Sequence, residues 1–336
     1  MTRGAILSGL GTWLPPQVVT NDMLSSELDT TDEWIRTRTG IARRHIASPG
    51  MSTGHLATEA ARRALKSAGT DRVDVVIVAT STPDRPCPAT APVVASSLGL
   101  TGTGAFDVAA VCTGFVYALA TAAGLIAGQV ADSALVIGAD TFSTILDPRD
   151  RTTRVIFGDG AGAVVLRAGD QAEEGALRGF DLGSDGTGVD LITVPGGGSE
   201  QRLSGAEAAP GDQYFHMDGP QVFTRAVRYM TASVRKVLDA AALAPEDVAH
   251  LVPHQANVRI LDTCARELGL PAERVVKNID RVGNTVAASI PLALAAGAAD
   301  GRLRAGDPVV LTGFGGGLTW GSALLTWPGG LTVIDG

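Results

Sequence analysis

Cys112 is the residue of this chain whose type and setting most directly indicate chemistry. It lies near the centre of the stretch FDVAAVCTGF, residues 106–115. The apolar and β-branched residues of this stretch predict the end of a buried strand, and the small residues from Thr113 onwards predict a helix that begins there. The unpaired N–H groups and the dipole of a helix N-terminus favour a thiolate, so Cys112 could be a nucleophile. The alternative is a small, buried and unreactive side chain.

Two further stretches carry groups that could stabilise a carbonyl oxygen as it gains negative charge. In VGNTVAASIP, residues 282–291, Asn284 follows Gly283 and precedes a helix of small residues, as Cys112 precedes its own helix. Asn284 could cap that helix or donate a hydrogen bond to a carbonyl oxygen. In TGFGGGLTWGSALL, residues 312–325, three glycines permit close approach of the backbone and could direct N–H groups at an oxyanion.

Neither the histidines nor the glycine-rich segment GDGAG indicates a metal or nucleotide site. His250 and His254 are four positions apart, but Pro253 and the apolar residues before it predict extended chain, which would hold the imidazoles ~13 Å apart. The segment GDGAG, residues 158–162, lacks the spacing of the known nucleotide-binding glycine loops. We expect a tight turn there that leads into a strand formed by the following VVL.

A tryptophan and two arginines lie close together in TTDEWIRTRTGI, residues 30–41. The threonine and the acids at its start are typical of a capped helix, with Arg36 and Arg38 at a solvated end. The alternative interpretation is that Trp34 stacks on an adenine ring while the arginines pair with phosphates. The residues alone leave both interpretations open.

The composition of the 336 residues is that of a compact α/β protein with buried sheets and many tight turns: 45% are hydrophobic, 18% are charged and 42 are glycines. A net charge of −8 argues against a nucleic-acid surface. The cysteines at 87, 112 and 264 give neither a disulfide framework nor a metal-ligand spacing, which favours a reducing cytoplasm. The N-terminal apolar run is too short for a signal peptide, and no run approaches the ~18 residues of a membrane span.

The second half of the chain repeats the first. LKSAGTDRVDVVIVATST, residues 65–82, and LDAAALAPEDVAHLVPHQ, residues 238–255, are each typical of a helix end, a short turn and a buried strand. Further buried strands are predicted at 133–140 and 309–314, each after a helix of small residues. The proline-dense segment 83–92 must be a shaped loop.

Two copies of alternating strands and helices indicate a duplicated, layered α/β fold. The charged stretch 170–176 is the expected boundary between the copies. Equivalent strand ends of two similar halves would meet in one cleft, so the loop that carries His254 should face Cys112.

Four short motifs, VCTG, PHQAN, GNT and FGGG, occur in an order and spacing that resemble the thiolase-fold condensing enzymes, and specifically the β-ketoacyl-ACP synthase III family. The similarity runs nearly from end to end, through EWIRTRTGIARRHIA, IFGDGAGAVVL, LVPHQANVRI and FGGGLTWGSALL. It implies a five-layered αβαβα fold of two duplicated βαβ halves, residues 1–172 with the nucleophile and residues 173–336 with the histidine and the asparagine. It also implies a cytoplasmic homodimer that needs no cofactor and no metal.

The resemblance implies a role for each catalytic residue. Cys112 would accept an acyl group from an acyl-CoA, and the carbanion formed when a malonyl thioester loses carbon dioxide would attack the resulting thioester. His254 and Asn284 would hydrogen-bond to the malonyl thioester carbonyl and stabilise the enolate. The N–H groups of Cys112 and Gly316 would form the oxyanion hole, at roughly 3 kcal/mol per donor. The product would start a fatty-acid or polyketide chain.

The same resemblance implies which residues bind the substrates. Trp34, Arg38 and Arg151 match the positions that hold the adenine and phosphate of CoA. Arg259 matches a residue that contacts the acidic acyl carrier protein (ACP), and Asn257 supports the site through the PHQAN turn. The implied partners are therefore acyl-CoA and malonyl-ACP.

Cys87 departs from the family pattern, in which an aromatic residue often stands at this position and closes the acyl pocket of the partner subunit. The smaller side chain predicts more room and primers longer than acetyl, unless neighbouring groups collapse into the space. The stretches ATSTPDRP, ILDPRDRTT and ITVPGGGS also resemble relatives that make acetoacetyl-CoA from acetyl-CoA and malonyl-CoA. Malonyl-CoA as the extender, and acyl transfer without condensation, are the alternatives.

Overall fold

The computed structural model describes residues 2–336 as two large β-sheets, with helices between and outside them, and two small two-stranded sheets. The strands are β1 (Arg3–Trp13), β2 (Gln17–Thr20), β3 (Arg43–Ile46), β4 (Val75–Ala79), β5 (Gly104–Val108), β6 (Ser133–Asp140), β7 (Gly160–Asp170), β8 (Leu177–Ser184), β9 (Ile192–Thr193), β10 (His216–Met217), β11 (His250–Pro253), β12 (Pro308–Gly315), β13 (Thr319–Thr326) and β14 (Val333–Ile334). The α-helices are α1 (Asn21–Ser25), α2 (Asp32–Thr39), α3 (Thr53–Ala68), α4 (Ala91–Ser97), α5 (Gly114–Ala127), α6 (Ser199–Leu203), α7 (Gly219–Ala240), α8 (Val258–Glu267), α9 (Ile279–Val282) and α10 (Ser289–Ala299).

The two large sheets repeat one another over four strands, while the small sheets pair β2 with β3 and β9 with β10. The first sheet has the order β14-β1-β7-β6-β4-β5, and the second has the order β11-β12-β13-β8. The series β1-β7-β6-β4 and β8-β13-β12-β11 both pair as antiparallel, antiparallel and parallel neighbours. The duplication predicted from the sequence is therefore confirmed.

The helices form three layers around the sheets, which gives the predicted αβαβα arrangement. Helix α3 packs on the outer face of the first sheet, against β1, β7 and β6. Helix α7 packs on the outer face of the second sheet, with α8 beside it. Helices α5 and α10 lie in the middle and contact both sheets, so their apolar sequences are those of helices buried on nearly every side.

The chain turns at 171–176, within the stretch expected to be the boundary, and joins β7 of the first sheet to β8 of the second. The boundary between the halves stays a prediction. The chain later returns to the first sheet, where β14 pairs with β1 between Val333 and Leu10. Within residues 2–336, no helix combines the length and the apolar character needed to cross a membrane.

Two local predictions are wrong. Strand β5 is not buried, because it forms the edge of the first sheet and Phe106 is 37% exposed. The glycines of GDGAG do not form a tight turn, because β7 already begins at Gly160. A Cβ at Gly162 would lie 2.7 Å from the Cβ of Pro291, so this glycine lets α10 approach the sheet.

Candidate active site

Cys112 lies in the elbow between β5 and α5, as the sequence predicts. After β5 the chain forms the 3₁₀ turn Val111–Thr113 and continues directly into α5. Val111 has a φ of 45°, in the left-handed region that β-branched residues rarely adopt. Such a conformation persists only where the surrounding structure enforces it. Val111 directly precedes Cys112, whose side chain is buried, with only 8% of its surface exposed.

A cavity of about 40 Å³ brings the three predicted catalytic residues together, since Cys112, His254 and Asn284 all line it. Three phenylalanine rings form an apolar part of its wall, with centroids 4.6, 5.0 and 5.1 Å apart: Phe142, Phe157 and Phe215. An apolar wall beside a few polar groups is the usual build of a small-molecule site.

His254 follows β11, and its backbone N–H donates to the carbonyl of Thr312 (2.8 Å). The side chain is 1% exposed, and burial lowers its pKa to about 3. The imidazole is therefore neutral at neutral pH and carries one N–H donor. His250 instead lies beside Asp307, with Nε2 3.8 Å from Oδ2. Residues 2–336 contain no group of three or more His, Cys, Asp or Glu side chains suited to a metal ion.

Asn284 is held by hydrogen bonds of its backbone and its side chain. Its N–H donates to the carbonyl of Ile156 and its carbonyl accepts from the N–H of Gly158, both at 2.9 Å. Its Oδ1 accepts from the N–H of Val286 (3.0 Å), which leaves Nδ2 as the group that can donate to a substrate. Gly283 precedes it with a φ of 71°, and a Cβ there would lie 3.0 Å from the carbonyl oxygen of Ile156. Asn284 does not cap α10, whose N-cap residue is Ala288; its side chain instead accepts from the 3₁₀ turn that precedes α10.

The prediction that a helix N-terminus favours a thiolate at Cys112 is wrong. Burial raises the pKa of the thiol above its ordinary value, and the nearby carboxyl of Asp140 raises it further. Loss of hydration destabilises a buried anion more than a helix dipole stabilises it. Cys112 is therefore a thiol, and acylation must displace its proton.

The counterpart of Cys112 in the second half is Ala287, not Asn284 as the sequence suggested. The second half repeats the elbow as a 3₁₀ turn, Val286–Ala288, that leads directly into α10. Val286 has a φ of 51° and so matches Val111. Asn284 lies three positions before the residue that corresponds to the nucleophile.

The packing of the elbows supports this match. A Cβ built at Gly138 in β6 would meet the carbonyl oxygen of Ala287, and a Cβ built at Gly313 in β12 would meet that of Cys112. The sheet register makes Gly138 and Gly313 equivalent positions. Each elbow thus packs on a glycine of the other half.

The glycine segment after β12 lies against the nucleophile. A Cβ at Gly315 would be 2.8 Å from the backbone nitrogen of Cys112 and 3.1 Å from its Cβ. A side chain at Gly315 would therefore cover the N–H group that the oxyanion hole needs. Gly316, the predicted second donor, follows directly and packs near Ile192. Its role stays a prediction.

A second cavity, of about 680 Å³, adjoins the one at Cys112, because Phe157, Met217 and Asn284 line both. Asn257 and Arg259 contribute to the wall of the larger cavity. Asn257 caps α8 by accepting from the N–H of Arg259 (2.9 Å). It also donates to the carbonyl of Arg38 (3.0 Å), so it ties α8 to the end of α2.

Trp34 lies on a capped helix, as one of the two interpretations predicts, and its ring also contacts two cations. Thr31 accepts from the N–H of Trp34 (3.1 Å). The guanidinium carbons of Arg38 and Arg151 lie 6.0 and 5.7 Å from the centroid of the indole ring. Arg36 instead pairs with Asp32 on its own helix. The aromatic ring and the two arginines predicted to bind CoA are therefore neighbours.

Cys87 lies exposed in the loop between β4 and α4. In the part of the chain that the structure describes, it does not line the cavity at Cys112. Its expected role requires a second subunit and stays a prediction.

Sequence reasoning missed Asp140, whose carboxyl raises the pKa of Cys112, and also Phe142 in the cavity wall and Gly315 beside the nucleophile. Asp140 ends the strand SALVIGAD, and an acid at the end of a buried strand was the available signal. No local pattern shows that Gly315, rather than its neighbours, lies beside the nucleophile.

Two family models match the chain. The model described as 3-oxoacyl-[acyl-carrier-protein (ACP)] synthase III matches residues 106–186, and its C-terminal counterpart matches residues 238–327. The first match contains Cys112, and the second contains His254, Asn284 and the glycine segment.

Curated relatives and solved structures match over nearly the full length. A β-ketoacyl-[acyl-carrier-protein] synthase III of Pseudomonas aeruginosa PAO1 is 58% identical over all of both chains. A Streptomyces coelicolor protein named β-ketoacyl-[acyl-carrier-protein] synthase III 5 is 58% identical over 98% of each. The crystal structure of a P. aeruginosa PAO1 3-oxoacyl-(acyl carrier protein) synthase III superposes with a TM-score of 0.90 at 57% identity, over 97% of this chain and 98% of that one. The priming β-ketosynthase of the R1128 polyketide pathway gives 0.87 at 33% identity, over 96% of each.

Proposed function

This chain belongs to the 3-oxoacyl-[acyl-carrier-protein] synthase III family of acyl-transferring condensing enzymes, and from that premise we propose how its residues divide the reaction. The reaction joins a short acyl group from acyl-CoA to a malonyl unit on ACP and so initiates a fatty-acid chain. One observation carries the assignment of roles. The buried thiol of Cys112, the neutral imidazole of His254 and the amide of Asn284 all line a single cavity.

In the first step, the sulfur of Cys112 attacks the carbonyl carbon of the acyl-CoA. The new carbon–sulfur bond replaces the bond to CoA, and the thiol proton ends on the sulfur of CoA. The carbonyl oxygen becomes an oxyanion in between, and the N–H groups of Cys112 and Gly316 stabilise it. The absence of a side chain at Gly315 keeps the Cys112 N–H accessible to that oxygen.

In the second step, the malonyl thioester loses carbon dioxide and its remaining electron pair forms an enolate. His254 and Asn284 donate hydrogen bonds to the enolate oxygen. A neutral imidazole suits this task, since it donates an N–H without first having to lose or gain a proton. The enolate carbon attacks the acyl thioester, and Cys112 leaves as a thiolate that takes a proton from solvent. We propose that no cofactor takes part, because protein donors stabilise both oxyanions.

Trp34, Arg38 and Arg151 bind the adenine and phosphate of CoA. A flat aromatic ring beside two guanidinium groups offers stacking to a base and charge-assisted hydrogen bonds to a phosphate. The cavity of about 680 Å³ is lined by Asn257, which bonds to Arg38, and by Asn284, and it gives room for the pantetheine arm. Arg259, exposed on α8, contacts the acidic carrier protein.

The enzyme is a homodimer that pairs through the edge of the first sheet. Strand β5 has an unpaired edge, and Phe106 and Val93 beside it are 37% and 44% exposed. Unprotected edges of this kind are sites of strand pairing between chains. A dimer would bring the loop with Cys87 toward the partner subunit, where a small side chain leaves room for primers longer than acetyl. The three free cysteines suit a reducing, cytoplasmic location.

A polyketide chain is the second candidate product, favoured by the similarity to the R1128 priming β-ketosynthase. Malonyl-CoA is the alternative extender, and acyl transfer without condensation is the alternative reaction.

The carrier is tested by giving the enzyme acetyl-CoA with either malonyl-ACP or malonyl-CoA and comparing kcat/KM for wild type and Arg259→Glu. Charge reversal toward an acidic partner slows association, so we expect a loss of tenfold or more with malonyl-ACP and less than twofold with malonyl-CoA. Arg266→Glu, on the same helix, is the control for charge at a different point of the surface. Equal losses with both extenders would favour the acetoacetyl-CoA synthase alternative.

A further inference from the structure

Asp140 is a buried carboxyl group that the reaction described above leaves without a role. It ends β6 and is 0% exposed. Its Oδ1 accepts from the N–H of Ser81 (2.7 Å) and from the hydroxyls of Thr80 and Thr82 (both 3.2 Å). Its Oδ2 accepts from the N–H of Ala287 (3.0 Å). These donors replace the water that burial removes, and burial still raises the pKa of Asp140 to about 7.

Asp140 occupies a position that the duplication relates to the oxyanion hole. It is the last of eight residues in β6, and Gly315 is the last of eight in β12. Gly315 leaves the N–H of Cys112 uncovered, whereas Asp140 covers the N–H of Ala287. The same backbone group is therefore open to substrate in one elbow and bound by a side chain in the other.

The covered elbow is the one that orients Asn284. Oδ1 of Asn284 accepts from the N–H of Val286, and Asp140 takes the next N–H along the chain, that of Ala287. The two side chains thus hold consecutive donors of one 3₁₀ turn, whose first residue has a φ of 51°. A turn with this backbone conformation needs such support, because a β-branched residue adopts it at a cost.

We propose that Asp140 is a positioning residue for the decarboxylation step: it holds the turn Val286–Ala288 so that Nδ2 of Asn284 meets the carbonyl oxygen of the malonyl thioester. The proposal rests on the function given above and adds a residue that does not itself touch substrate. It also explains why a carboxyl group binds the N–H of Ala287 in the second elbow. The same contact to the N–H of Cys112 in the first elbow would block the oxyanion hole.

Asp140→Asn is the sharpest test, because it keeps the shape of the side chain. An amide places its NH2 group against either the N–H of Ala287 or the N–H of Ser81, so one contact becomes donor against donor. We expect decarboxylation of malonyl-ACP to fall tenfold or more, while acylation of Cys112 by acyl-CoA stays within threefold. Thr80→Val is the matched control, since it removes one donor to Oδ1 and leaves Ala287 untouched. Both steps should stay within threefold in that variant.

A second readout separates positioning from a general loss of structure. The carboxyl of Asp140 raises the pKa of Cys112, so its replacement by an amide should lower that pKa and speed alkylation by iodoacetamide at neutral pH. A loosened site would also expose the thiol and speed its alkylation, but it would lose acylation by acyl-CoA as well, so the two cases are told apart by acylation that stays within threefold. If Asp140→Asn does not fold, Asp140→Ser is measured in the same way, because its hydroxyl can still accept but no longer reaches both partners.

Equal falls in acylation and decarboxylation, or no change in either, would overturn the proposal. A wild-type enzyme that does not decarboxylate malonyl-ACP would instead overturn the proposed function, and the two failures are therefore distinguishable.

Discussion

The two elbows of this protein have the same backbone and opposite chemistry. Each is a 3₁₀ turn that starts with a valine of positive φ and leads into a helix of the middle layer. The first carries Cys112 and leaves its N–H open beside Gly315. The second carries Ala287 and has its N–H bound by Asp140. The duplicated scaffold therefore gives both elbows the same backbone position, and a few side chains distinguish the proposed nucleophile from its counterpart.

The side chains predicted to donate hydrogen bonds to the enolate lie in the second half, and their counterparts in the first half are alanines. The register of the sheets makes Ala79, at the end of β4, the counterpart of His254. Ala109 stands three positions before Cys112, as Asn284 stands three positions before Ala287. Alanine has no side-chain donor, so in the proposed mechanism the first half supplies the nucleophile and the second half supplies the groups that stabilise the enolate.

The largest expected effect comes from Cys112→Ala, which gives the first elbow the residue of the second. Incubation with a short acyl-CoA should then produce no mass increase of the intact protein, because no other nucleophile replaces Cys112 in the cavity. Cys264→Ala is the control, since that cysteine is buried on α8 and lies outside the cavity wall. An undiminished adduct on Cys112→Ala would refute the assignment of the nucleophile.

Gly315→Ala should give the next largest effect, because its methyl group would cover the N–H of Cys112 as Asp140 covers that of Ala287. Removal of one oxyanion-hole donor costs about 10²–10³ in rate, and we expect a loss of that order in single-turnover acylation. Gly124→Ala is the control, as it lies on α5 with open space around it. A loss of less than tenfold would mean that the oxyanion is stabilised elsewhere.

His254→Ala and Asn284→Ala each replace a donor of the second half by alanine, the residue at the equivalent position of the first half. Each should lower malonyl decarboxylation about 100-fold, the lower end of the cost of one such donor, and leave acylation within a few-fold. Release of carbon dioxide and the mass of the acyl-enzyme report the two steps separately. His250→Ala, at the start of the strand that precedes His254 and beside Asp307, should change neither. A variant that loses acylation yet keeps decarboxylation would contradict the assignment of the enolate-stabilising donors to the second half.

The layered fold, the duplication and the identity of the three residues that meet in the cavity could all be predicted from the amino-acid sequence. These features depend on patterns that are local in the chain. Continuous apolar runs such as 133–140 predict buried strands because both faces must avoid water, and β6 has those bounds. The capping threonine before α2 and the small residues after Cys112 likewise mark helix starts within a few positions.

Which groups neighbour one another, and in which protonation state, depends on long-range packing that the sequence patterns do not record. The thiol of Cys112 and the neutral ring of His254 follow from the removal of water by distant segments, which a local helix dipole does not offset. The match of Cys112 with Ala287, the open N–H beside Gly315 and the exposed edge of β5 depend on sheet register and strand order. Such contacts join residues far apart in the chain, so no short pattern of residue types records them.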